Sequence, residues 1–574
     1  MAAARTLRAF GAQPLVLEAR GRLGGRAHTA ELPAVPAQGL EASPVEEGCN
    51  YLHGCSPRQP LFLLAQRLGL ATAVCPADLG GCLGGWESCE VAEWRDAERA
   101  GEPIPASEVL EAFFLLEQTV RGVACLAADG EGKPPADLHS AFEYALGLVL
   151  QRRVTAGCRE TDLLSNRERG LLYSMRGRRY GYVSPLCRMP AQLLACAPKE
   201  RSRALAVFED PAWPDSDPKV LAHRRGMLGR KFAMLRALAD PRSETAAAVG
   251  PTGGGEDRLL LGRGFGALID FLADGTEVIL GDPVRTVTRR DSDVVVHLRS
   301  GRAFAAPYAV VALPVGVLAG LDPASAVSFK PALPAEKLAA IRRLALPARG
   351  ASTHEKAVLR WEPTAPFITE VLGKPGAPLQ IGTTDRRFHF LNLHRYGRCG
   401  QLLCHIWADA EWHEHQMLSD AQVVAEVVDA LRAIFPGAAG GGPLVTEPVQ
   451  ARVTRWAEDP FALGAYSELQ DPAASEADRE RYAQAEGRLF FAGEGAAPSP
   501  AGAQCTHGAL LSGVSAAVEA LGEDDEAAGA RAVPAIYTQD GPLGLDVEAV
   551  VRLLEDPEYY ASIFALDYAA EEAG

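Results

Sequence analysis

Glu18 closes the apolar run Pro14-Leu15-Val16-Leu17, and Gly24, Gly25 and Arg26 follow it closely. A carboxylate at the end of a strand can accept both hydroxyl hydrogens of an adenosine ribose. A glycine pair lets backbone approach a pyrophosphate, and the fork of an arginine suits a phosphate. Far along the chain Leu489-Phe490-Phe491 runs into Ala492-Gly493-Glu494, and Thr506-His507-Gly508 opens a stretch rich in Ala, Gly and Ser. A helix beginning at Thr506 presents its first N–H groups to negative charge. Between these lie Lys356, ahead of Ala357-Val358-Leu359, and the string from Trp456 to Tyr466 and Ser467. A lone lysine beside a strand is ordinarily solvated, and it is the place of Lys356 between the other strings that makes it a candidate.

The elements that must position these residues can be read from pattern. Ala2 to Phe10 reads as a short helix with Leu7 and Phe10 on one face and Gly11 as its C-cap. A helix followed by a strand ending in an acid is the second half of a βαβ unit. Residues 61–251 read as helix-rich and irregular, with loops at Pro211 to Pro218 and Gly250 to Gly255. Short strands follow at Arg258 to Leu261, Glu277 to Leu280, Val284 to Thr288, Val294 to Leu298 and Tyr308 to Leu313, with a helix over Phe265 to Leu272. Ala421 to Ile434 is an amphipathic helix with Val424, Val427, Val428 and Leu431 on its stripe. His507 to Leu521 is a further helix, and the acidic stretch beyond Gly522 holds one near Val547 to Leu554.

Taken together, these strings resemble the flavin-dependent amine oxidases, and among them the polyamine oxidases. Glu18-Ala19-Arg20-Gly21-Arg22-Leu23-Gly24-Gly25-Arg26 is similar to the family's E-A-R-x-R-x-G-G-R, and Phe491-Ala492-Gly493-Glu494 to its F-A-G-E. Leu52-His53-Gly54 resembles the W-[IL]-H-G segment of polyamine oxidases, where histone-demethylase relatives carry Thr-Gly. Glu355-Lys356-Ala357-Val358-Leu359 is similar to [EN]-K-[IV]-x-L, and Trp456 to Ser467 to W-x-x-[DA]-P-x-x-x-G-S-Y-S. Asp282-Pro283-Val284 and Ala312-Leu313-Pro314-Val315-Gly316-Val317-Leu318 match two further family strands.

The resemblance implies an α/β fold: an FAD-binding Rossmann-like domain of the GR2 type with an inserted α+β substrate-binding domain. It implies FAD as cofactor, held by Glu18, Arg20, Gly24, Gly25, Arg26, Val284, Trp456, Gly493, Glu494 and Thr506. Lys356 would hold a water at the flavin and assist reaction with oxygen. His53 would contact the amine, Tyr466 would wall an aromatic cage, and Cys505 stands where relatives place Thr, Ser or Tyr opposite it. His354, two residues before Lys356, is a further candidate for amine recognition. The implied division is FAD-binding over 1–60, 256–335 and 450–522, substrate-binding over 61–255 and 336–449, and an acidic tail over 523–574. The family's G-x-G-x-x-G loop would precede Met1, so the first strand is expected to be missing, through a reading frame begun at an internal methionine or through a genuine short form unable to hold FAD. The alternatives are a histone-lysine demethylase relative, an amino-acid oxidase and a non-catalytic flavin-fold protein.

Composition narrows the partners. Lys and Arg total 57 against 73 Asp and Glu, a formal net charge of -16 over 574 residues. Such a surface disfavours nucleic acid and would attract cations, though charge alone reads first as a means of solubility. The small cationic amine and O2 expected as partners are what the resemblance implies. No apolar run reaches the roughly 18–20 residues of a membrane span. The 12 cysteines lack the tight spacing of a zinc site, so no metal is expected; reduced thiols suggest a reducing compartment, and cytoplasmic localisation is the expectation. Oligomeric state is not encoded in any of these patterns.

Overall fold

The computed structural model describes residues 1–56, 58–75, 92–129, 137–159, 164–180, 191, 198–218, 257–345, 354–406, 418–437, 441–469, 471, 473–498, 502–522 and 546–555. Helix and strand are mixed throughout. The largest sheet has seven strands, in the order Gln450–Val453, Glu355–Arg360, Gln401–Ile406, Phe388–Leu391, Gln380–Thr383, Ala92–Asp96 and Glu102–Pro103. All its pairings are antiparallel except that of Gln380–Thr383 with Ala92–Asp96.

Its two faces separate by the two-residue period of a strand. Ala357 and Leu359 pack with Val427 and Leu431 of the helix Asp420–Ile434. Val358 packs on the other side with Val45, Tyr51, Leu259 and Leu403. Lys356 shares the parity of Val358 and so faces the N-terminal segments. Ser419 caps that helix in a reciprocal box with Gln422. Its buried residues are Val423, Val427, Val428, Ala430, Leu431 and Ile434, and Val424 packs half-buried against the same core. Among the described residues the helix-rich region holds Pro60–Arg67 and, packed around Phe113, Phe114, Phe142 and Leu172, the helices Ala106–Asp129, Leu138–Thr155, Asn166–Tyr180 and Pro198–Glu209. Gly250 to Gly255 lies outside the described residues.

Two parallel two-stranded ribbons sit apart from that sheet. Leu15–Leu17 pairs with Glu277–Ile279, and Ala309–Val311 with Leu489–Phe491. Among the described residues neither ribbon joins a larger sheet. The strand Val284–Arg289 belongs to a four-stranded sheet with Val294–Leu298, Ala303–Ala306 and Ser328–Lys330.

The first helix, Ala2–Ala9, buries Ala2, Ala4, Arg5, Thr6 and Ala9, while Leu7 and Phe10 are half-buried, Phe10 packing against the same core cluster as Ala2 and Ala9. The helix approaches another closely: a Cβ added at Gly513 of the helix Thr506–Gly522 would sit 3.3 Å from the Ala3 nitrogen, and the small Ala2 and Ala3 permit that approach. Buried Arg5 donates to the carbonyls of Leu554, Glu555 and Phe271. The C-terminal helix is found at Val547–Glu555, and it is docked in the core against Phe62, Leu511 and Val514. Among the described residues no helix is long and apolar enough to cross a membrane.

Candidate active site

The fold gathers the sequence candidates into one connected set. Lys356 is 5% exposed and its ammonium donates to the carbonyl of Gly48. Burial lowers its pKa to about 8, against the raising effect of Cys49, Glu46, Glu355 and Glu47. Trp456 donates its indole N–H to the neighbouring Glu47 carbonyl at 2.9 Å. The turn carrying Trp456 is held by Glu355, which accepts from the Thr454 hydroxyl and from the Ala457 N–H at 3.3 Å. Full burial pushes the Glu355 carboxyl up to about 7. Strand parity thus gives Glu355 and Lys356 opposite duties, one fixing the tryptophan turn and the other entering the site.

Gly48 lies against backbone. An added Cβ would stand 1.6 Å from the Arg26 carbonyl oxygen and 2.7 Å from its carbon. Neither atom can yield without moving the segment that carries Arg26. Cys49, next in sequence, hydrogen-bonds Thr506 at the start of the helix Thr506–Gly522, and burial raises its pKa to about 12. Gly48→Ala is therefore expected to shift the acceptor of Lys356 and the Arg26 segment together. The purified variant should hold less than about half the flavin of the parent, read from visible absorbance; a full complement of flavin would show that the contact is dispensable.

The second group surrounds the glutamates. Arg26 donates to the Ala465 carbonyl and pairs with Glu494, each at 3.0 Å. Glu494 also accepts from the Ser467 N–H and hydroxyl, at 3.0 and 2.7 Å, which fixes the chain just after Tyr466. Arg20 pairs with Asp459 at 2.6 Å, tying the first segment to the turn after Trp456. Glu18 accepts from the Arg20 N–H at 2.8 Å. The Glu18 carbonyl takes the Asp282 N–H at 3.3 Å, which brings Val284 near. Gly24 and Gly25 have φ of 93° and 58°, left-handed values that glycine adopts freely. Gly493, with φ of 122°, exchanges hydrogen bonds with the Ser512 hydroxyl at 3.0 and 2.9 Å.

A third group gathers around His53, Tyr466 and His354. His53 Nδ1 meets Asp257 Oδ2 at 2.9 Å, and the Gly54 N–H donates to Asp257 Oδ1 at the same distance. Asp257 is 1% exposed and His53 is much more open. His507, beside them, has its pKa lowered to about 4 by burial and by His53, with Asp257 opposing. Gln504 donates to the Ser467 carbonyl and to Glu468, which sets half-buried Cys505 close to the Tyr466 segment. His354 Nδ1 lies 3.0 Å from the Tyr466 hydroxyl and its Nε2 lies 2.8 Å from His405 Nδ1. Burial, helped by Lys356, drives the His354 pKa down to about 3, so it is neutral.

Asp257, Glu355 and His405 were not singled out from sequence. Asp257 is separated from His53 by 204 residues. His405 is the register partner of Lys356 across two strands, and no local pattern reports that pairing.

The sequence matches the family described as flavin containing amine oxidoreductase over residues 1–79 and 230–521. The chain belongs to that family, and its cofactor is FAD. Polyamine oxidase 5 of Oryza sativa subsp. japonica is 35% identical over 259 residues, which is 45% of this chain and 47% of that protein, so this match spans about half the length of the relative. Polyamine oxidase 3 of the same plant is 26% identical over 528 residues, covering 90% of this chain and 86% of the relative. Among solved structures a triple mutant of putrescine oxidase, made in a redesign of its cofactor binding, superposes with a TM-score of 0.52 at 16% identity, covering 91% of this chain and 96% of that one. The last likeness is one of fold.

The donor set present fits FAD. A strand-end carboxylate, left-handed glycines, an arginine, a glycine pressed on backbone at Gly48, a buried lysine and a helix start converge here. These are the groups that a ribose diol, phosphates and a ring that gains negative charge require.

Proposed function

We propose that the chain oxidises a polyamine or a related secondary or primary amine, with O2 as electron acceptor and H2O2 as by-product. The observation that carries this reading is Lys356, buried between Gly48 and the tryptophan turn with its pKa drawn down to about 8. In this reading Glu18, Arg20, Gly24, Gly25, Arg26 and Val284 hold the adenosine and phosphate end of FAD. Gly493, Glu494, Trp456 and Thr506 hold the rest, within a Rossmann-like domain of the GR2 type spanning 1–60, 256–335 and 450–522. Residues 61–255 and 336–449 supply the substrate side. FAD, when bound, supplies the acceptor for the hydride that leaves the carbon beside nitrogen. The imine product hydrolyses to an aldehyde and a shorter amine.

The protein's own part is binding, orientation and exclusion of water. Asp257 fixes the His53 ring so that its Nε2 meets the amine. Tyr466 walls the cage, with Cys505 opposite. A buried, neutral His354 adds no positive charge beside the arriving amine, while the acidic surface draws cations in. Lys356 holds a proton and a water where oxygen reacts.

The purified full chain is expected to be yellow with stoichiometric FAD and to release peroxide with spermidine. Colourless protein that takes up no added FAD would favour a non-catalytic role. Yellow protein that is inert toward spermidine and other amines would leave the fold and remove the activity.

A further inference from the structure

Tyr466, His354 and His405 form a continuous hydrogen-bonded row that leads from the amine side into the seven-stranded sheet. The Tyr466 ring is half-buried and lies nearly parallel to that of His354, with centroids 6.1 Å apart. His405 is 1% exposed on the strand Gln401–Ile406, opposite Lys356 on one side and His389 on the other. Directly paired residues of antiparallel strands share a face, so the row is anchored beside Lys356.

The protons in this row can point in one of two directions. A phenol O–H is a stronger acid than a neutral imidazole N–H, and an imidazole nitrogen is a stronger base than a phenol oxygen. The stronger bond therefore runs from Tyr466 O–H to His354 Nδ1. A neutral His354 then carries its one proton on Nε2, and that proton must go to His405 Nδ1, 2.8 Å away. His405, accepting at Nδ1, carries its own proton on Nε2.

We propose that His405 is a positioning residue of the amine cage: through His354 it keeps the Tyr466 hydroxyl proton turned into the protein, so that the phenol oxygen meets the substrate as an acceptor. An alkylammonium has N–H donors and no lone pair, so an acceptor oxygen suits the protonated polyamine that arrives. Without His405 the His354 Nε2–H loses its buried acceptor, the other tautomer becomes competitive, and the Tyr466 hydroxyl is released. The inference rests on the amine-oxidase reading for the identity of the ligand, and on the two hydrogen-bond distances together with a neutral His354 for the row.

The test uses the FAD-loaded full chain. Imidazole nitrogen NMR of isotopically labelled histidines at neutral pH, assigned with His354→Asn and His405→Asn, is expected to show both rings singly protonated at Nε2. A proton on Nδ1 of either ring, or a doubly protonated ring, overturns the proposal. His405→Leu is expected to weaken anaerobic spermidine binding and raise KM about tenfold, which is about 1.4 kcal/mol, with kcat within about threefold. His405→Asn, whose amide can stand in for Nδ1, is expected to recover to within about threefold of the parent. Equal impairment in both variants would mean packing, and impairment in neither would mean no role; each overturns it. Parent protein that oxidises no amine overturns the amine-oxidase reading and the cage with it, whereas a wrong tautomer in an active enzyme overturns the positioning row alone.

Discussion

Lys356→Met should lower oxidase turnover about a hundredfold or more while leaving the protein as stable as before, or more so. Removing one preorganised donor from a dry active site typically costs about 10²–10³ in rate. Methionine keeps the length of the side chain and its apolar stem, so packing against the Gly48 segment is largely retained. What disappears is a buried ammonium whose desolvation the fold tolerates; replacing such a charge with an apolar group is often neutral or stabilising. The pH dependence supplies the sign. The folded pKa is about 8 against an ordinary 10.5, so between those values the unfolded chain binds more protons than the folded one. Stability therefore rises with pH across that window through this group, and the methionine variant should lack that rise. Oxygen consumption and thermal melts at two pH values read both effects. Unchanged turnover would remove Lys356 from the chemistry, and a large loss of stability would make it a structural lysine.

Most of the candidate site was legible because residues proposed to meet a nucleotide follow local rules. An acid at a strand end, glycines where φ is positive and a helix start near negative charge each leave a mark within a few residues. That is why Glu18, Gly24, Gly25, Gly493, Glu494 and Thr506 could be named without a fold. The helix Asp420–Ile434 was legible for a similar reason, since its stripe repeats every turn. The addition of fully buried Val423 beside half-buried Val424 was not, because the width of a stripe depends on what covers it. Partners set by pairing across strands left no trace in the string. Asp257 becomes the anchor of His53 only when Tyr51–Leu52 and Arg258–Leu260 pair, and His405 joins the row only through the register of three strands. The first helix was legible only in part: Phe10 packs as its apolar character suggests, but the depth to which Ala2, Ala4 and Ala9 are buried depends on the close approach of Gly513, which lies far away in the chain.

Loss of the C-terminal helix should cost as much stability as the domain has. Val550, Val551, Leu553 and Leu554 are each fully buried, packed with Leu61, Phe62, Leu511 and Val514. At roughly 1.5–3 kcal/mol for each buried aliphatic side chain, the four together contribute about 6 kcal/mol or more. That is comparable with the ~5–15 kcal/mol net stability of a folded domain. Deletion also strips Arg5 of the Leu554 and Glu555 carbonyls, leaving a buried guanidinium short of acceptors. A chain ending before Asp546 is therefore expected to fail to accumulate as folded protein. Leu554→Ala isolates the same contact in a chain that folds, and should cost about 2–5 kcal/mol, seen as a lower thermal midpoint. Arg552→Ala on the exposed side, where its partner is Glu548 at 3.2 Å, should change stability by less than about 1 kcal/mol. Because the helix Thr506–Gly522 is one wall of this cluster, Leu554→Ala should also loosen the start of that helix and reduce retained flavin on dilution. A Leu554→Ala protein that melts with the parent would mean the helix is not docked there in solution; one that melts early yet keeps its flavin would separate the stability of this cluster from the helix start at Thr506.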